Sequence, residues 1–498
     1  MAAEAVLALD QGSSSTRVLA FDSKGRVLAR SKFPVRTFLP RPGWVEHDPV
    51  ELARTSERAL DCVLQRLPSK VRVIGLGIAS QRSTFVMWDS RTGRPVGRAP
   101  SWQDGRAAEG IAALQSDLRY QGEVHAKTGL YLVPYYSAPK IRYQLETLPE
   151  ARRLADEGRL RIGPVSSFIL WRLSGGRCFR TDPAMAQRML LYNLRQGGWD
   201  DGLLEEFRVP RACLPEIVTT AGAWGTVECR GRRIPVLAVM GDQQSAALGQ
   251  GVDEPGIGVL NYGTGAFFLF HTGESLHSLP GLLTSVAWSR AGRPCRYFLE
   301  GTVNAAGPSL RWLHENLKLL GDARGADRAC RKSKNRLFAL QALGGLGAPR
   351  WDPLTPTVLW GLNRHSTRED VVRAVVESIA YLISDIVVPI RSAGLEVREL
   401  RASGGLARIE SLLQVQADLL QQSIARLKEQ EATAMGVATL AAEEAGVSWS
   451  SSIRRIALDR TFEAKVDAAS AEKRLEGWRR FVSAQQKLAV ELKGLGLL

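Results

Sequence analysis

Two glycine-rich turns, each flanked by apolar runs, most constrain how this chain can fold. Residues 7–22 read LALDQGSSSTRVLAFD: an apolar run, Asp10, a turn of glycine and serine, and a second apolar run. This pattern predicts two β-strands joined by a tight turn. A partial echo, GIGVLNYGTGAFFLFHTG, begins about 250 residues later at Gly256. The 498-residue chain is therefore predicted to contain two similar halves.

The first turn has the chemistry of a phosphate site. Its backbone N–H groups and serine hydroxyls could cradle phosphate. Asp10, just before the turn, could hold the Mg²⁺ that accompanies a nucleotide. An ordinary hairpin turn is an equally good interpretation of one such match taken alone. The echo favours phosphate binding, and the two turns together predict a nucleotide between the two halves.

The remaining pattern indicates an α/β fold. Residues 73–80 and 82–89 predict buried strands, and the apolar residues of 51–66 have helical spacing. Strands that alternate with helices are typical of the α/β class. We expect a strand over 234–239 that leads into a helix near Asp242, and helices over 368–387 and 412–420. The stretch around 241–256 is the best candidate for the domain boundary, because the echo follows it. We place one domain over 1–247 and the other over 248–498.

Composition excludes several function classes. The net charge of +15 raises the alternative of a nucleic-acid or anionic-membrane partner. The basic residues are scattered, however, and no zinc-finger or RNP motif accompanies them, so we expect no specific nucleic-acid partner. The six cysteines form no CxxC pair, which argues against a zinc site or a disulfide framework. Without a signal peptide or an apolar run of about 18 residues, we expect a cytoplasmic protein with no membrane span.

Ten segments, in order and over nearly the whole chain, resemble the FGGY family of carbohydrate kinases. The resemblance implies two actin-like or ribonuclease-H-like domains with an interdomain cleft. It also implies ATP and Mg²⁺ as cofactors and phosphorylation of a small polyol or sugar, glycerol first. The matching segments are DQGSSSTR (10–17), GWVEHDP (43–49), QRST with VMWD (81–89), SWQDGR (101–106), PYYSAPK (134–140), GDQQSA (241–246), NYGTGAF (261–267), LEGTVNAAGPSLRWL (299–313), GLGAPRWDP (345–353) and WGLNRHSTREDVVRAVVESIAY (360–381).

The resemblance also implies roles for individual residues. Asp242 would be the general base, a task that suits a carboxylate, although it could instead be the N-cap of the following helix. Asp10 would hold Mg²⁺, directly or through water. Arg17 could form a surface salt bridge instead of contacting phosphate, and Arg311 stands where Gln is usual. The implied ATP contacts are Ser13, Ser14, Ser15, Arg17, Gly263, Thr264, Gly265, Gly307, Arg311, Gly404 and Gly405.

The implied acceptor site mixes polar groups with aromatic faces, which suits a hydroxyl-rich ligand. For its aromatic residues, core packing is the alternative. Ser83 departs from the pattern, because the glycerol-phosphorylating members carry Glu there. A larger acceptor, such as a pentulose or a tetritol, is therefore the alternative substrate. The acceptor-site residues are Gln81, Arg82, Ser83, Trp102, Tyr135, Asp242, Gln243 and Phe267.

Two further expectations complete the sequence-based account. We expect a homodimer or homotetramer that takes a small-molecule polyol or sugar. A catalytically weak sensor or assembly protein that keeps an actin-like ATP fold is the alternative outside the kinases. The presence of Asp10, Arg17, Asp242 and Thr264 argues against that alternative.

Overall fold

A computed structural model describes residues 3–321, 323–428, 431–453 and 456–497. Its strands are β1 Glu4–Gln11, β2 Ser15–Phe21, β3 Val27–Pro34, β4 Glu46–His47, β5 Arg72–Ser80, β6 Phe85–Asp89, β7 Ala99–Pro100, β8 Leu160–Pro164, β9 Arg180–Thr181, β10 Tyr192–Asn193, β11 Gly198–Trp199, β12 Glu216–Ile217, β13 Thr226–Cys229, β14 Arg232–Gly241, β15 Ile257–Tyr262, β16 Ala266–Gly273, β17 Leu283–Trp288, β18 Arg296–Val303, β19 Phe338–Leu340, β20 Val358–Trp360, β21 Glu399–Ser403, β22 Ile424–Leu427 and β23 Leu458–Phe462.

The helices alternate with these strands along the chain. They are α1 Pro49–Arg66, α2 Ala108–Ser116, α3 Leu118–Thr128, α4 Ser137–Thr147, α5 Pro149–Asp156, α6 Val165–Leu173, α7 Pro183–Gln187, α8 Asp201–Glu206, α9 Asp242–Gly249, α10 Ala306–Glu315, α11 Ala323–Lys332, α12 Arg368–Ser392, α13 Glu410–Leu420, α14 Ala432–Glu444, α15 Ser450–Ile453 and α16 Ala468–Gly494. No helix within the described residues is long and apolar enough to cross a membrane.

The chain forms two compact units, neither of which is continuous in sequence. The first unit comprises Met1–Gly251, Thr284–Tyr297 and Glu431–Arg455. The second unit comprises Val252–Leu283, Phe298–Gln430 and Ile456–Leu498. The domain boundary after residue 247 and the interdomain cleft stay predictions.

The sheet of the first unit has the order β13-β14-β5-β1-β2-β3. Strands β1 and β2 form the predicted antiparallel hairpin, while β5 runs parallel to β1 and β14 runs parallel to β5. Ser80 of β5 is in register with both Gln11 and Gly241. The carboxyl ends of three neighbouring parallel strands therefore meet at one edge of this sheet.

The second unit repeats this arrangement. Strands β15 and β16 form an antiparallel hairpin, β21 runs parallel to β15, and β22 runs parallel to β21. An antiparallel strand follows in each unit, β13 beside β14 and β23 beside β22. The two glycine-rich turns of the sequence thus occupy equivalent hairpins, and the prediction of a two-domain α/β protein is confirmed.

Most predicted elements are present, with small differences at their ends. The predicted strand over 73–80 is β5, and the predicted helix over 51–66 is α1, whose N-cap Asp48 accepts a hydrogen bond from the Val50 N–H. The strand predicted over 82–89 begins only at Phe85. That prediction was wrong for its first three residues because Ser83 has φ +61°, in the left-handed region outside the β range.

Helix α14 packs against α9 within the first unit at two glycines. A Cβ built at Gly436 would lie 1.8 Å from the Ser245 carbonyl oxygen, and one at Gly249 would lie 2.0 Å from the Ala432 carbonyl oxygen. Such an approach of two backbones requires residues without a side chain. The close packing fixes α9, whose first residue is Asp242.

Candidate active site

Three of the predicted site residues lie at the sheet edge where β1, β5 and β14 end. Asp10 lies near the end of β1, Gln81 directly follows β5, and Asp242 directly follows β14. In α/β sheets, ligands bind outside the carboxyl ends of parallel strands. The topology therefore brings together residues that are separated by up to about 230 positions in the sequence.

Asp242 is the first residue of α9 and has an accessible carboxylate. The N-cap of this helix is Gly241, so the hypothesis that Asp242 is the N-cap was wrong. One carboxylate oxygen accepts a hydrogen bond from the Gln243 N–H at 2.8 Å and lies 3.9 Å from Nε of Arg82. A quarter of the Asp242 side chain is exposed. The carboxylate can therefore reach a ligand that Arg82 also faces.

Asp10 is a buried acid in a region with excess negative charge. Burial raises its pKa to about 7 against the opposing effect of Arg17, and the carboxylates of Asp242 and Glu431 raise the pKa further. A divalent cation would relieve this repulsion. Mg²⁺ commonly takes one or two protein carboxylates and completes its shell with water and phosphate oxygens. Asp10 fits that donor set, whereas no cluster of three or more metal-ligating side chains occurs in the described parts of the chain.

Arg17 forms a salt bridge, which was the predicted alternative to contact with phosphate. Its Nη1 donates to Oε2 of Glu431 at 2.6 Å, and its Nε lies 3.7 Å from Oδ2 of Asp10. About one third of the Arg17 side chain is exposed. Contact between Arg17 and phosphate stays a prediction.

Only some of the serines in the turn between β1 and β2 are accessible to a ligand. The Gly12 N–H donates to the Ser15 carbonyl at 3.0 Å and closes the turn. Ser14 is exposed and Ser13 is half-buried, whereas Ser15 is buried at the start of β2. Ser13 and Ser14 are therefore better placed than Ser15 to offer a hydroxyl to a ligand.

Two of the predicted acceptor-site aromatics lie on the surface. Trp102 is 37% exposed and Tyr135 is 38% exposed, so core packing was the wrong alternative for both. The Trp102 indole N–H donates to Oγ of Ser13 at 3.1 Å. This hydrogen bond links a predicted acceptor contact to the predicted phosphate turn.

Gln81 and Ser83 are both buried in the loop after β5. The Gln81 amide donates to Oε1 of Gln11 at 3.3 Å and accepts from the Thr84 hydroxyl at 2.9 Å. These hydrogen bonds are made within the protein, and acceptor contact by Gln81 stays a prediction. Ser83 holds a left-handed backbone that costs a non-glycine residue about 1–2 kcal/mol, so its surroundings must fix it.

Sequence reasoning missed two residues that organise this loop. The Thr84 hydroxyl accepts a hydrogen bond from the Trp102 N–H at 3.0 Å. The ammonium of Lys140 donates to the Ser83 carbonyl at 3.3 Å. Both residues lie within segments that match the kinase family, QRST and PYYSAPK, but their roles depend on contacts between segments that spacing does not reveal.

The second unit assembles most of the predicted nucleotide residues around the echoed turn. The Gly263 N–H donates to the Gly265 carbonyl at 2.9 Å, and the Gly307 N–H donates to the Thr264 carbonyl at 3.0 Å. Gly404 lies against the Tyr262 carbonyl that precedes the turn. The other predicted residues of this unit are Gly405 at the start of a short 3₁₀ segment, the exposed Arg311 in α10, and the half-buried Phe267 in β16.

Replacing Gly404 by Ala should lower the stability of the protein. Gly404 has φ +90°, and a Cβ there would lie 2.4 Å from the Tyr262 carbonyl oxygen. The backbone cost of about 1–2 kcal/mol and the overlap with a backbone atom together predict a fall in Tm of about 4 °C or more. The neighbouring Gly405→Ala is the matched control, because its Cβ would meet nothing within 4 Å. Equal melting temperatures of the two variants would contradict the prediction.

The comparison with protein families matches both halves of the chain. Residues 5–249 match the N-terminal domain of the FGGY family of carbohydrate kinases, and residues 258–445 match its C-terminal domain. The chain therefore belongs to the FGGY family of carbohydrate kinases. It is an ATP-dependent kinase, as the sequence motifs predicted.

Similar proteins extend over nearly the full length. The chain is 40% identical to a glycerol kinase of Alkalilimnicola ehrlichii over 96% of its own length and 98% of that protein. It is 37% identical to a glycerol kinase of Geobacter sp. strain M21, with the same coverage. A crystal structure of Plasmodium falciparum glycerol kinase with ADP aligns with TM-score 0.90 and 30% identity, covering 97% of this chain and 98% of that one. A xylulose kinase from Rhodospirillum rubrum aligns with TM-score 0.83 and 21% identity over 99% of each chain, which shows a shared fold.

Proposed function

We propose that this kinase transfers the γ-phosphoryl group of ATP to glycerol and makes sn-glycerol 3-phosphate. The observation that carries the proposal is the accessible Asp242 carboxylate beside Arg82, at the same sheet edge as Asp10. The relatives that are named glycerol kinases support glycerol as the acceptor. Their identities of 37% and 40% extend over nearly the whole chain.

In the proposed reaction, the acceptor hydroxyl attacks the γ-phosphorus, the bond from that phosphorus to the β–γ bridging oxygen breaks, and ADP leaves. Asp242 accepts the hydroxyl proton, a contribution of roughly 10²–10⁴ in rate. Arg82 donates hydrogen bonds to the acceptor oxygens, and the Trp102 and Tyr135 rings cover its C–H surface. Asp10 would hold Mg²⁺, which neutralises charge on the phosphate oxygens. The backbone N–H groups of Thr264 and Gly265 hold phosphate oxygens of the nucleotide, because the Gly263 N–H already donates to the Gly265 carbonyl.

A larger polyol or ketose is the second candidate acceptor. Ser83 favours it, because its short, uncharged side chain leaves more room than the Glu of glycerol-phosphorylating members. ADP release should be measured with ATP, Mg²⁺ and each of glycerol, erythritol, xylitol and D-xylulose. The highest kcat/KM with glycerol supports the proposal, and the highest value with a four- or five-carbon acceptor supports the alternative.

Replacing Ser83 by Glu should lower the KM for glycerol by about tenfold. A carboxylate that accepts a hydroxyl hydrogen bond is worth about 1.5–3 kcal/mol, and 1.4 kcal/mol corresponds to a factor of ten. The same change should raise the KM for any larger acceptor by filling its space. Ser69→Glu, an equal change of charge at an exposed position before β5, is the control. An unchanged glycerol KM in Ser83→Glu would show that residue 83 does not face the acceptor, and a higher one would contradict the predicted gain in affinity.

A further inference from the structure

Lys140 is a fully buried lysine whose ammonium is surrounded by backbone carbonyls. It lies in the first turn of α4, and its side chain has no exposed surface. Its Nζ donates to the carbonyls of Ser101 at 2.7 Å, Tyr135 at 2.8 Å and Ser83 at 3.3 Å. An ammonium has three donors and no acceptor, so these three hydrogen bonds use all of its capacity.

The three carbonyls belong to three separate segments of the proposed acceptor site. Ser83 and Tyr135 are themselves predicted acceptor contacts, and Ser101 directly precedes Trp102. These segments are the loop after β5, the stretch after β7 and the stretch before α4. One buried cation therefore joins the backbones that carry three of the proposed acceptor-binding side chains.

We propose that Lys140 is a positioning residue that sets acceptor affinity by holding the segments of Ser83, Trp102 and Tyr135 in one arrangement. The inference rests on the proposed function, because it takes the acceptor contacts from there. Lys140 acts through these segments, since its own ammonium is occupied by their carbonyls.

Of the three segments that Lys140 joins, the loop at Ser83 most needs its backbone to be held in place. Its left-handed backbone is not one that serine adopts readily, and such conformations persist where the surroundings hold them. A second donor from α4 reaches the same carbonyl, the Ser137 hydroxyl at 3.2 Å. Two residues of α4, Ser137 and Lys140, therefore donate to the Ser83 carbonyl. Helix α4 thus holds the loop after β5 in place.

Protonation of Lys140 gives an independent test of this role. Burial lowers the pKa of Lys140 to about 7, the Asp104 carboxylate opposes this effect, and the Arg106 guanidinium adds to it. As the pH rises through 7, the ammonium loses one of its three donors, and one carbonyl loses its partner. The acceptor KM of the wild-type protein should therefore rise between pH 7 and pH 9.

The decisive variant is Lys140→Met, studied in the full-length protein with glycerol and ATP. We expect the KM for glycerol to rise at least tenfold, the KM for ATP to stay within twofold, and the pH dependence of the glycerol KM to disappear. Arg391→Met is the control, because Arg391 also donates to a backbone carbonyl, that of Leu420 at 2.5 Å in the second unit. It should lower Tm without changing the glycerol KM.

Ser137→Ala provides a milder test that does not depend on how well Lys140→Met folds. It removes a single donor to the Ser83 carbonyl and should raise the glycerol KM about two- to fivefold. Equal changes in both KM values for Lys140→Met would overturn the proposal. So would an unchanged glycerol KM in Ser137→Ala together with a flat wild-type pH profile. Failure of the proposed function is distinct, since the wild-type protein itself would then release no glycerol-dependent ADP.

Discussion

Asp242→Asn should reduce kcat at least a hundredfold while the fold and nucleotide binding persist. The amide keeps the shape of the side chain but can no longer accept the proton of the acceptor hydroxyl. General-base catalysis of this kind contributes roughly 10²–10⁴ in rate. Because Asp242 is the first residue of α9 and Gly241 is its N-cap, the substitution removes no N-cap side chain. Steady-state kinetics, with ADP binding measured by calorimetry, gives both quantities.

Asp201→Asn is the matched control for this variant. Asp201 is also the first residue of a helix, α8, but its side chain is 88% exposed and pairs with Arg211. Its kcat should stay within twofold of the wild-type value. An Asp242→Asn enzyme that keeps more than a tenth of wild-type turnover would show that Asp242 is not the base.

Asp10→Asn has the second largest expected effect, a loss of about a hundredfold in kcat and a higher Mg²⁺ requirement. The amide keeps one oxygen but loses the charge that attracts a divalent cation, and metal charge stabilisation is worth several kcal/mol in phosphoryl transfer. Mg²⁺ titrations of turnover, and calorimetry of ADP binding with and without Mg²⁺, measure the two effects separately. The Mg²⁺ contribution to ADP binding should shrink in the variant.

Asp22→Asn is the control from the same hairpin. Asp22 directly follows β2, and its carboxylate accepts hydrogen bonds from the backbone N–H groups of Lys24 and Arg26. Its replacement should lower Tm but leave the Mg²⁺ requirement unchanged. If Asp10→Asn and Asp22→Asn had the same Mg²⁺ requirement, Asp10 would not be the metal ligand.

The sequence predicted the hairpins, the α/β class and the kinase family because these features depend on local pattern. Strand–turn–strand segments are short, and their apolar runs and glycines lie next to each other in the chain. The segment at 82–84 was assigned incorrectly for the same reason. Its β-like composition says nothing of the contacts that hold Ser83 at φ +61°.

The supporting residues of the site could not be predicted, because they act between segments. The first unit includes Glu431, which is 414 positions from its partner Arg17. The Lys140 ammonium reaches carbonyls as far as 57 positions away. No periodicity or spacing within one segment encodes such contacts. They depend on where the fold places each pair of segments.

Competition among acceptors tests the central claim most directly. The wild-type protein should be given limiting ATP with Mg²⁺ and equal concentrations of glycerol, erythritol, xylitol and D-xylulose, and the products identified by ³¹P NMR. We predict that glycerol 3-phosphate is the dominant phosphate ester and that its rate of formation falls at least a hundredfold with Asp242→Asn. A dominant phosphate ester of erythritol, xylitol or D-xylulose, or inorganic phosphate alone, would contradict the assignment of glycerol as the acceptor.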